Sequence, residues 1–149
     1  MKALVVFADN EPPRAGDGVA AFLLHWALRA CLAPGFRHCW LVLPDADGLT
    51  VIDPRASGLA VQRLKGHAYL NDLALMEGLG LARLVPVSPP ADAAAWSGLR
   101  FGYFSCTGAV ENILRLKRSR GLSRTPRMLW RFLTNCQEAH HGRQTGGAG

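Results

Sequence analysis

Residues 36–53 read FRHCWLVLPDADGLTVID, and this stretch decides the architecture. Aromatic and branched residues at 38–43 predict a β-strand. Pro44, Asp45, Asp47 and Gly48 predict a turn, because each favours a tight reversal of the backbone. Residues 49–53 then return as a second strand, so the segment is a hairpin. Alternation along the first strand places His38, Trp40 and Val42 on one face and Cys39, Leu41 and Leu43 on the other. By this reasoning Cys39 is a poor partner for His38. Asp53, on the return strand, is the acceptor expected to face the imidazole.

Upstream of the hairpin, ALVVF at 3–7 is a buried strand ended by Asp9 and Asn10. VAAFLLHWALRACL at 19–32 has the length and the Ala and Leu content of a helix. Asp17 is its expected cap and Pro34-Gly35 its stop. Being apolar almost all round, it is expected as a central, buried helix. Downstream, residues 60–64 predict a third strand and 69–77 a short helix stopped by Gly78 and Gly80. Residues 82–87 and 99–104 predict strands joined by an irregular link. Val110, Ile113 and Leu114 recur at helical spacing over 107–116. Thr125-Pro126 is an N-cap followed by proline at the first helical position, opening a last helix through Met128, Leu129, Trp130, Phe132 and Leu133. This order predicts an α+β fold, an antiparallel sheet packed against helices on one side. It is expected as one domain over 1–136 with a flexible, polar tail over 137–149.

The bulk properties agree. A chain of 149 residues matches one domain and buries roughly 70% of its unfolded surface. Hydrophobic residues make up 49% and charged residues 19%, a balance that excludes intrinsic disorder. No apolar run reaches the roughly 20 residues of a membrane span, and the first residues lack the apolar core of a secretory signal. A cytoplasmic site of synthesis is therefore expected. The four cysteines, Cys31, Cys39, Cys106 and Cys136, match neither a zinc nor a redox spacing. They are expected as free thiols, at least three of them small hydrophobes. No cofactor and no metal site is expected, and His25 is expected as a satisfied core histidine.

The net charge of +6 is unevenly placed: Arg115, Lys117, Arg118, Arg120, Arg124, Arg127, Arg131 and Arg143 face only Glu111 and Glu138 in the C-terminal part. Such a basic region suits an anionic partner or a solvated helix face. Nucleic acid is the least favoured of these partners, since no recognised binding motif accompanies the charge.

The residues that carry chemistry are Cys106 and His38. A free thiol is only a few per cent ionised at neutral pH, and a nearby imidazole or a helix N-terminus lowers its pKa. Cys106 stands where FGYFS, a predicted strand, gives way to TGAVENILRL, a predicted helix. Its sulfur is expected at the positive end of that helix, near backbone N–H groups able to hold an oxyanion. Asp53 completes a Cys–His–Asp set by orienting the imidazole. Trp40 shares a face with His38 and is a candidate to line a substrate groove. Tyr103 is a candidate hydrogen-bond donor near the site, while Trp96 and Trp130 are expected in the core.

With the residues in this order, the chain resembles the circularly permuted branch of the papain-like, NlpC-type cysteine hydrolases. In that branch the histidine precedes the cysteine. A short strand and a helix lead to the histidine strand, as in Gly35-Phe-Arg-His38-Cys-Trp-Leu-Val. A polar residue follows on the next strand, as Asp53 does, and the cysteine opens a later helix, as in Phe104-Ser-Cys106-Thr-Gly-Ala-Val. The lecithin:retinol acyltransferase group shares this order, as do many small proteins of tailed phages, and TPRMLWRFL resembles the closing helix of some of them. Relatives often carry a hydrophobe after the histidine and a Glu soon after the cysteine, where this chain has Cys39 and Thr107-Gly108. The resemblance implies a papain-like fold and a thiol hydrolase with Cys106 as nucleophile, His38 as base and Asp53 as orienting group. It implies a cell-wall peptide as substrate in a phage context. The alternative is a virion tail or neck protein that keeps the fold without the chemistry, with other phage structural proteins as partners.

Overall fold

The computed structural model describes residues 2–9, 12, 18–55, 58–88, 105–114, 116 and 125–145, with side chains at the C-terminal end as far as Cys136. The elements run β1 (Ala3–Ala8), α1 (Val19–Cys31), β2 (His38–Pro44), β3 (Gly48–Arg55), β4 (Gly58–Lys65), α2 (Ala68–Gly78), β5 (Ala82–Val87), α3 (Cys106–Ile113) and α4 (Pro126–Thr145). The fold is α+β. Among the described residues its sheet has five strands in the order β4-β3-β2-β1-β5, and every pairing is antiparallel.

The predicted hairpin is β2–β3, with Leu41 opposite Ile52 and Pro44 opposite Leu49. Its turn is closed by the Asp45 N–H donating to the Gly48 carbonyl at 2.9 Å. Glycine is required at 48, because a Cβ there would overlap the carbonyl oxygen of Leu64 on the neighbouring β4. Pro86 falls on the edge strand β5, where its missing N–H leaves no gap inside the sheet. Pro54 acts differently. It pairs with Leu59 of β4, and the β2–β3 ladder ends at Leu41–Ile52, short of the proline. The first residues of β2 are thereby outside the backbone ladder to β3, and α3 packs against both strands.

Both faces of the sheet are covered, which corrects the expectation of helices on one side. Val5, Phe7, Cys39, Leu41, Ile52 and Val85 meet Val110 and Leu114 of α3 and Leu129 and Leu133 of α4. On the opposite face, Val6, Val42, Leu49 and Val51 pack with Leu73 of α2. Strand alternation turns central-strand residues to both sides, so a central strand such as β1 is apolar throughout. Aromatic packing fixes α4. The Phe36 and Trp130 rings lie 5.3 Å apart, and the Arg83 guanidinium sits over both, 5.2 Å and 5.6 Å from their centroids.

Nor is α1 a central, buried helix. Val19, Leu23 and Trp26 are 76%, 66% and 70% exposed, and Phe22 and Leu24 are also exposed. Among its described side chains only His25 is buried. None of those side chains belongs to either apolar layer. An all-round apolar helix has no distinct face to direct its packing, and α2, α3 and α4 occupy the two faces of the sheet. Gly18 occupies the cap position without a side-chain hydrogen bond, and the expected cap Asp17 lies outside the described residues. So do the strand expected at 99–104, Trp96 and most of the basic segment between α3 and α4.

Thr125 caps α4 as expected, its Oγ1 accepting from the Met128 N–H at 3.3 Å. The α4 backbone continues helical to Thr145, well beyond Cys136, after which the sequence predicts a polar tail. Gln, Glu, Ala and Arg in that stretch all favour a helical backbone. Among the described residues no helix is long and apolar enough to cross a membrane.

Candidate active site

The entry to β2 is held from β1. Asp9, just past β1, accepts hydrogen bonds from the Gly35 N–H and the Arg37 Nη1, both at 2.7 Å. Arg37 is buried, and its own N–H donates to the Ala8 carbonyl at 3.1 Å. The turn before β2 is therefore anchored at two points, and His38 follows directly from it.

His38 Nε2 lies 2.6 Å from Asp53 Oδ1, and Arg55 Nε lies 2.6 Å from Asp53 Oδ2. Asp53 thus holds the imidazole with one oxygen and is itself held by an exposed guanidinium with the other. Extending the Leu41–Ile52 register by one residue sets Trp40 opposite Asp53, with His38 on the diagonal. The His38 and Trp40 rings stack with centroids 5.8 Å apart. Trp40 packs into the layer beneath α2, with Tyr69 and Leu70.

Cys106 is the first residue of α3. Ser105 caps that helix, its Oγ accepting from the Gly108 N–H at 3.0 Å and lying 3.0 Å from Thr107 Oγ1. The Gly108 donor is thereby taken. The N–H groups of Cys106 and Thr107 likewise have no acceptor inside the helix.

The Cys106 thiol lies close enough to the Cys39 thiol and to the His38 ring for each to shift its ionisation, and Cys106 packs against the apolar cluster that contains Cys39. Asp53 takes Nε2, which leaves Nδ1 as the other ring nitrogen of His38. His38 and Cys39 point to opposite sides of β2, as alternation requires, yet both reach Cys106. That is possible at the strand's first residues, where the ladder to β3 has ended.

The electrostatics follow from these contacts. The Cys39 thiol, the His38 ring and its charge, and the Cys39 backbone N–H all favour the Cys106 thiolate. Together they outweigh burial and bring the thiol down to about 5. Burial opposes a charged His38, but the hydrogen bonds and charges of Asp53 and Cys106 win and raise it to about 9. Burial likewise opposes the Asp53 carboxylate, and His38 and Arg55 overcome it and hold the carboxyl below its ordinary value. The Cys39 thiol is pushed well up by its hydrogen bond to Cys106, by burial and by the Cys106 charge, so it stays protonated and donates. Both shifts favour the thiolate–imidazolium pair over two neutral groups.

The structure therefore brings together Cys106, His38, Asp53 and Trp40, whereas Tyr103 lies outside the described residues. Cys39, Arg55 and Asp9 join them without being singled out for the site by the sequence. The signal for Cys39 is its place beside His38, but alternation speaks only of those two residues and not of a third that meets both. Cys31 and Cys136 are exposed free thiols rather than core hydrophobes, Cys31 because α1 itself is exposed. Among the described residues no group of three or more His, Cys, Asp or Glu could hold a metal ion. Comparisons with protein-family models, with curated proteins and with solved structures find no match.

Proposed function

We propose that the protein is a cysteine hydrolase that cleaves an amide or ester, with the circularly permuted papain-like arrangement of the NlpC-type enzymes. The observation that carries this reading is Cys106 at the N-terminus of α3 beside His38, whose ring is hydrogen-bonded to Asp53. The Cys106 thiolate attacks the carbonyl carbon, and the carbonyl oxygen takes the negative charge beside the N–H groups at the helix tip. The His38 imidazolium gives its Nδ1 proton to the leaving amine or alcohol, and a thioester to Cys106 remains. Water then attacks the thioester while His38 takes its proton, releasing the acid and the thiolate. Asp53 keeps the ring oriented throughout. A cell-wall peptide cleaved in a phage context is the substrate class that the family resemblance supports.

The test is alkylation of Cys106 by iodoacetamide at pH 6, read by peptide mapping, together with turnover of a peptide amide or an activated ester. Cys106 should react far ahead of Cys31 and Cys136, and His38→Ala should abolish that advantage and turnover together. Equal reactivity of all the cysteines would overturn it.

The exposed apolar side chains of α1 favour a second reading, a phage tail or neck component that keeps the fold for assembly. Full assembly function in a Cys106→Ser variant would support that reading over the first.

A further inference from the structure

Catalysis as proposed leaves the chemistry of a second thiol unused. Cys39 is fully buried in the layer between the sheet and α3, and Cys106 packs against that same layer, where each thiol shifts the ionisation of the other. Cys106 is only partly buried. The other two cysteines sit on α1 and α4 and have no part in this contact. We propose that Cys106 and Cys39 form an oxidation site, in which a peroxide oxidises Cys106 and Cys39 closes on it as an intramolecular disulfide.

The steps balance with the groups present. The Cys106 thiolate attacks one peroxide oxygen and the O–O bond breaks. The leaving alkoxide or hydroxide takes the His38 proton, so that a sulfenic acid and an alcohol or water are formed. The sulfur is oxidised by two electrons and the peroxide reduced by two. Cys39 then attacks the sulfenic sulfur, its proton leaves with the hydroxide as water, and the S–S bond forms. Two of the effects that keep Cys39 protonated, the hydrogen bond to a Cys106 thiolate and its charge, vanish once Cys106 is a neutral sulfenic acid. A dithiol reductant reverses the whole change.

The disulfide removes the nucleophile reversibly and spares it from sulfinic acid, which ordinary thiols do not reduce. The inference rests on Cys106 as a nucleophilic thiolate and not on any hydrolysis. Its test is treatment of the full chain with hydrogen peroxide, followed by alkylation and peptide mapping without reductant. The expected result is a Cys39–Cys106 linked peptide, loss of Cys106 alkylation, and recovery of alkylation with dithiothreitol. In Cys39→Ala, and in Cys39→Ser should alanine disturb packing, Cys106 should pass to sulfinic and sulfonic acids that dithiothreitol does not restore. Sulfinic acid at Cys106 of the unaltered chain with Cys39 still free, or linkage of Cys106 to Cys31 or Cys136, would overturn the inference. Disulfide formation without amide or ester turnover would sink the hydrolase reading alone; turnover without the disulfide would sink this one alone.

Discussion

His38 Nε2 and Asp53 Oδ1 are 2.6 Å apart, joining the first residue of β2 to a residue near the end of β3. This contact fixes which imidazole nitrogen is left for Cys106. Replacing Asp53 by Asn keeps the shape and removes the charge that favours the imidazolium. Turnover should fall on the order of 10²–10⁴-fold, the range for losing well-placed acid–base catalysis. Steady-state kinetics and the His38 titration by NMR check this, the histidine titrating at lower pH in the variant.

The pH dependence has a defined sign. The Cys106 thiolate forms as pH rises through about 5, so alkylation should rise there and stay high. The His38 imidazolium is lost as pH rises through about 9, removing the proton needed by the leaving group. Turnover should therefore be bell-shaped between those limits, while alkylation should have only the acid limb. A bell-shaped alkylation profile would contradict the assignment.

Arg55 supports Asp53 from an exposed position, at 65% exposure. Exposed ion pairs contribute at most about 1 kcal/mol. Arg55→Ala should thus reduce turnover by no more than about fivefold, and added salt should narrow the difference between variant and parent.

Stability should separate α1 from α4. Leu129 is fully buried between α4 and the sheet, and Leu129→Ala should cost about 2–5 kcal/mol in denaturant unfolding. Trp26 is 70% exposed on α1, and Trp26→Ser should change stability by no more than about 0.5 kcal/mol. A large loss at Trp26 would place α1 in the core after all.

The elements are legible in the sequence where the governing pattern is local. The β2–β3 hairpin follows from alternation around PDADG, α4 from Thr125-Pro126, and α3 from the helical recurrence of Val110 and Leu114. His38 and Asp53 are legible as a pair because a hairpin brings neighbouring positions together by short-range geometry. The place of α1 is not legible, because hydrophobicity states how much surface prefers burial and not which surface will cover it. Helices on both faces escape the sequence for a related reason. An apolar central strand reads alike whichever helix lies above it.

By itself the sequence determined the α+β order, the hairpin that carries His38 and Asp53, and a thiol at the start of a helix. Only the tertiary structure decided that Cys106 meets both His38 and Cys39, since those contacts span more than sixty residues of chain. It also decided that Asp9 anchors the entry to β2 and that Arg55 braces Asp53. Periodicity and capping act over a few residues, so they are written locally. The meeting of α3 with the open end of β2 depends on where a ladder stops and which face a helix covers, and no local pattern encodes either.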